Sequence, residues 1–120
     1  MWHHLAMPSS VMVGYNLQGQ MPNDPTDDAK PHPDGIQAQT MRVMDNLVII
    51  LNEMQLGLEN VLSTRVFLTN FKRDYEPMNN VYKSYFPHDK LPARACVGVT
   101  ALALGALVEI DMIAKRFDPT

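Results

Sequence analysis

The 120-residue sequence predicts an α+β domain in which one mixed sheet carries two helices on one face. Two segments repeat their apolar residues at intervals of three and four, others alternate apolar with polar residues, and the two kinds of segment interleave along the chain.

Val11 to Met21 alternates weakly and closes in Gly19-Gln20-Met21-Pro22, a strand or hairpin ending in a turn. Pro and Asp dominate from Asn23 to Pro33 with no apolar period, which predicts a loop. Asp34, with Gln37 three residues on, is a candidate helix cap. Ile36, Thr40, Val43, Met44, Leu47, Ile50, Leu51 and Met54 then form one stripe to about Gln55, and Gly57 is the expected stop. Val61 to Leu68 reads as a buried strand. Asp74 is a candidate cap for a second helix, with Met78, Val81, Tyr82 and Tyr85 on one face. From Ala93 to Thr100, alternation puts Arg94, Cys96, Gly98 and Thr100 on a common face. In the last strand, Leu107 to Ala114, Glu109 shares a face with Leu107, Asp111 and Ile113. Helices with single stripes cover one face of the sheet. In a chain this short, the other face is most readily covered by another subunit.

The chain reads as a single domain, 1–120, with residues 1–10 the least determined by pattern. Its formal charge is −3, and its ten Lys and Arg are scattered, so it lacks the basic footprint of a nucleic-acid binder. One cysteine cannot form an intrachain disulfide, and Met-Trp-His-His does not open a secretory signal, which together predict a cytoplasmic or organelle-matrix protein. The longest apolar run, Ala101 to Val108, is too short to cross a bilayer and leads into Glu109, so no membrane span is expected. Nine methionines suit gap filling in the core. His3, His4, His32 and His88 lack ligand spacing, and Asp24, Asp27 and Asp28 lack the glycine and closing glutamate of a calcium loop, so no metal site is expected.

Arg94, Cys96 and Glu109 are polar groups on strands that are otherwise apolar. If the last two strands pair across the 102–106 connection, Glu109 approaches Arg94 and Cys96. A guanidinium beside a carboxylate then reads either as a structural ion pair or as a carboxylate-binding arginine with a nearby acid or base. Cys96 has no histidine close in sequence, which favours lining a pocket over covalent catalysis.

Gly19-Gln20-Met21-Pro22, Gln39 with Asp45-Asn46-Leu47, Val66-Phe67-Leu68-Thr69, Met78-Asn79-Asn80-Val81-Tyr82 with Tyr85-Phe86, Pro92-Ala93-Arg94-Ala95-Cys96 and Val108-Glu109-Ile110 with Ile113-Ala114 occur in that order. In these motifs, from about Gln18 to Ala114, the chain resembles the RidA family, also called YjgF/YER057c/UK114. The resemblance implies a chorismate-mutase-like fold assembled as a homotrimer, with ligand clefts between subunits. It also implies a deaminase that adds water to reactive 2-enamine or 2-imino acids of the 2-aminoacrylate type, giving 2-keto acids and ammonia without a cofactor. By the same resemblance, Arg94 binds the substrate carboxylate, Glu109 positions or activates water, Cys96 and Gly19 shape the pocket, and Asn79 lies near the cleft.

The family's Gly-Pro-Tyr-Ser-type segment is absent before Gln18: Leu5 falls near its tyrosine, and Tyr15 lies in a different register. Gln18 replaces the usual serine, and Gly98 replaces a common acidic or polar residue. These departures favour, as one alternative, a pathway-specific deaminase of a larger unsaturated amino acid. Another alternative is a non-catalytic carboxylate-binding or regulatory trimer, for which Arg94 alone would suffice.

Overall fold

A computed structural model of the chain describes residues 14–117. The expectations for residues 1–10, and for Val11 as the start of the first strand, lie outside them. Strands β1 (Gly14–Gln20), β2 (Val61–Leu68), β3 (Ala93–Gly98) and β4 (Val108–Lys115) form one sheet in the order β1-β4-β2-β3. β4 is antiparallel to both β1 and β2, whereas β2 and β3 are parallel. A parallel pair needs a crossover, and helix α2 (Phe71–Ser84) supplies it.

Helix α1 (Ile36–Glu53) buries Val43, Met44, Leu47 and Leu51 fully, and α2 buries Met78 and Tyr82. These side chains form one core with Val66, Leu68, Val108, Ile110 and Met112 of the sheet. Both helices therefore lie on a single face, as the stripes predict. Met44, Met78 and Met112 are buried in this core, while Met41 is half exposed.

The helix ends differ from expectation. No side chain caps α1; Gly35 occupies the cap position with a positive φ of 89°, and Asp34 lies outside the helix. The C-terminal turn is closed by Gln55 in the left-handed region (φ 59°), not by Gly57. Leu56 N–H donates to Leu51 O at 2.8 Å and Gln55 N–H to Asn52 O at 3.0 Å, while Leu51 and Leu56 are both buried. That bond pair with its apolar contact makes a left-handed residue tolerable without glycine. The cap of α2 is Asn70, whose side chain accepts from Arg73 N–H at 3.2 Å. Asp74 lies inside the first turn, buried and paired with Arg73.

The strand order corrects a second expectation. β3 and β4 do not pair, because β2 lies between them. The registers pair Arg94 with Thr64, Cys96 with Val66, and Val66 with Ile110, which puts Arg94 and Cys96 on the helix-covered face. Glu109 pairs with Phe67 and Asp111 with Arg65 on the opposite face. Successive strand residues alternate faces, so within one chain Glu109 cannot meet Arg94. On this second face Val97 and Ile113 are 46% and 45% exposed. A concavity of about 300 Å³ lies there between Asn16, Ser63, Arg65, Asp111 and Ile113.

Candidate functional site

Arg94 projects from the edge strand β3 toward α2. Its Nη1 donates to Asn79 Oδ1 at 2.6 Å and its Nη2 to Tyr75 Oη at 2.9 Å. The guanidinium carbon lies 5.0 Å from the centre of the Tyr82 ring and 5.6 Å from that of Tyr75. Residues 75, 79 and 82 are one and two turns apart on a single helix face, so α2 presents a cradle of ring faces and neutral acceptors to the cation. The cradle is itself anchored. Tyr75 stacks on Phe71 with centroids 5.1 Å apart, and the Tyr82 hydroxyl shares a 2.8 Å hydrogen bond with Thr64 on β2.

Among the described residues no carboxylate pairs with Arg94, so within one chain it forms no structural ion pair with Glu109 or another acid. The ion pair on the sheet belongs instead to Arg65 and Asp111 on the far face, where Nε donates at 3.0 Å and Nη2 at 2.5 Å. A half-buried cation with only neutral partners is left without a counter-charge in a partly desolvated setting, the electrostatic requirement for holding an anion.

Cys96 lies two residues along on the same face and is half-buried. Burial pushes its thiol above the usual range, with the Arg94 charge opposing. A thiol held neutral is a poor nucleophile.

Glu109 lies on the far face against Gly19. A Cβ at Gly19 would overlap the glutamate's carboxylate, 2.9 Å from Cδ and 3.2 Å from Cγ, so only glycine leaves the carboxylate where it is. Gly19 also borders a concavity of about 480 Å³ that extends over Asn23 and Asp24 to Asn46. Asn46 of α1 ties this loop down by donating to Asn23 O at 2.9 Å and Met21 O at 3.3 Å. Gln39 fixes the approach to β4 in the same way, accepting from Leu107 N–H at 2.9 Å.

The structure thus gathers Arg94, Cys96 and Asn79 at one place and Glu109 with Gly19 at another. Asn79 touches the arginine directly. Tyr75 and Tyr82 are site residues that sequence reasoning passed over; the signal was an aromatic residue one turn before Asn79 and another three residues after it.

The family model described as Endoribonuclease L-PSP matches residues 11–116. The chain belongs to this family, also known as RidA or YjgF/YER057c/UK114. A curated relative, the RutC family protein slr0709 of Synechocystis, is 38% identical over 80% of this chain and 73% of its own length. A crystal structure described as a putative endoribonuclease from Thermotoga maritima superposes with a TM-score of 0.78 at 33% identity, covering 86% of this chain and 79% of that one. The crystal structure of Escherichia coli TdcF with bound serine has a TM-score of 0.76 at 30% identity, covering 88% and 80%. The single mixed sheet with two helices is the RidA-family fold.

Proposed function

We propose that this RidA-family chain is a deaminase of reactive 2-enamine or 2-imino acids, acting as a homotrimer with its clefts between subunits. One observation carries the reading: Arg94 is a fixed, half-buried cation with no acidic partner among the described residues. Such a group suits a small carboxylate, held through the N–H groups that Asn79 and Tyr75 leave unused. That TdcF was solved with serine, a small amino acid, supports the same ligand class.

Hydrolysis needs a second group. Water adds to the imine carbon, the tetrahedral adduct expels ammonia, and a 2-keto acid remains. Glu109 is the candidate for positioning the water and accepting its proton. It lies on the opposite face from Arg94, so the reaction requires the Glu109 of one subunit to face the Arg94 of another. Half-exposed Val97 and Ile113 give the far face the apolar surface for such an assembly. Cys96 and Gly19 shape the cleft, and Asn79 orients Arg94.

The placement of Arg94 and Glu109 on opposite faces also favours a second reading, a carboxylate-binding module that needs Arg94 alone. Glu109→Gln separates the two. In a deaminase, turnover falls by about 10²- to 10⁴-fold while 2-keto-acid affinity is largely kept. If the wild type binds 2-keto acids yet releases no ammonia from any imine tested, and Glu109→Gln binds them equally well, the protein is a binding module.

A further inference from the structure

The Tyr75 hydroxyl is a group of the Arg94 cradle with a proton to spare. A phenol both accepts and donates. Its oxygen accepts from Arg94 Nη2 at 2.9 Å, which turns its own proton away from the cation, and no acceptor for that proton occurs among the described residues. The Tyr82 hydroxyl is occupied by Thr64, and Asn79 Oδ1 by Arg94. Tyr75 is neither fully buried nor fully exposed, so a ligand in contact with Arg94 can reach it.

Geometry decides which ligand atom it reaches. A carboxylate oxygen on the second N–H of Nη2 would stand about 5 Å from Tyr75 Oη, because two acceptors on one NH₂ group diverge by about 120° at hydrogen-bond length. That is too far for a direct bond. An acceptor on the neighbouring carbon closes the gap. We infer that Tyr75 is a specificity-determining residue whose phenolic proton is donated to the oxo oxygen or imino nitrogen at C2 of a carboxylate held by Arg94. The inference rests on Arg94 being the carboxylate grip. It adds the reason why a 2-oxo or 2-imino acid is preferred to a plain acid of the same size.

The test is calorimetric binding of pyruvate and of propanoate, which share a carboxylate and differ at C2, to the wild type, Tyr75→Phe and Arg94→Ala. Phenylalanine keeps the stacking on Phe71 and the ring face toward Arg94, so the fold is retained. Tyr75→Phe is expected to weaken pyruvate by about 5- to 50-fold, the worth of one buried hydrogen bond, and to leave propanoate within about twofold of wild type. Arg94→Ala is expected to weaken both. Equal weakening of both acids by Tyr75→Phe would show that the hydroxyl only holds the guanidinium in place, and no change for either would show that it does nothing in binding; each overturns the inference. If Arg94→Ala binds both acids like wild type, the grip assignment fails instead. Because binding is the readout, absence of ammonia release would overturn the deaminase reading and leave the Tyr75 result standing.

Discussion

Replacing Gly19 by alanine is expected to separate stability from turnover. The added Cβ would overlap the Glu109 carboxylate, 2.9 Å from Cδ. Gly19 does not have a positive φ, so alanine meets no backbone penalty there. The obstruction is the far end of a flexible side chain on a partly exposed face, and Glu109 can relieve it by changing rotamer. A shift of that kind costs about 0.5–1.5 kcal/mol, so the denaturation midpoint should fall only slightly. The carboxylate is nonetheless displaced by more than an ångström, and a misplacement of about 1 Å in a reacting group can cost about 10²-fold in rate. Urea titration and ammonia release from imines generated in situ by an amino-acid oxidase measure the two effects. Wild-type turnover in Gly19→Ala would refute the dependence of catalysis on where Glu109 lies. Loss of the fold would refute the idea that the crowding is relieved by the side chain alone.

Burial holds the Cys96 thiol above its usual range, with Arg94 opposing, so it is protonated at neutral pH. Iodoacetamide labelling should be slow at pH 7.5 and accelerate only in the alkaline range, and Arg94→Ala should move that rise to still higher pH. Gln55→Gly removes a left-handed non-glycine residue and should stabilise the protein by about 1 kcal/mol, read as a higher denaturation midpoint with unchanged m-value. Light scattering of the untagged protein should give three times the chain mass, and a monomer with full activity would contradict a cleft shared between subunits.

The α1 stripe was legible because a helix against a sheet must bury one face; five of its eight predicted positions, Thr40, Val43, Met44, Leu47 and Leu51, are fully buried. Faces within a strand were legible for the same reason, and Arg94 and Cys96 do share one. Strand order was not, because pairing is set by packing between distant segments. The insertion of β2 between β3 and β4 follows from the crossover through α2, which no local pattern records. Helix ends were legible only in part. Asp34, Asp74 and Gly57 are good terminators by type, but Gly35, Asn70 and Gln55 stand where the buried residues set the phase of each helix. The cradle around Arg94 was half visible: Asn79 stood out by its motif, whereas Tyr82 reads as part of the second helix's apolar face and Tyr75 lies before the stripe that starts at Met78.

The most direct test of the central claim is the rate of ammonia release from an imine such as 2-aminoacrylate, measured against its spontaneous hydrolysis, for wild type and Arg94→Ala, alongside pyruvate affinity. The wild type should accelerate release, while Arg94→Ala should fall to the spontaneous rate and lose at least about 10²-fold in pyruvate affinity, as expected when the charged partner of a desolvated carboxylate is removed. Wild-type rates and affinity in Arg94→Ala would contradict the assignment of Arg94 as the substrate grip.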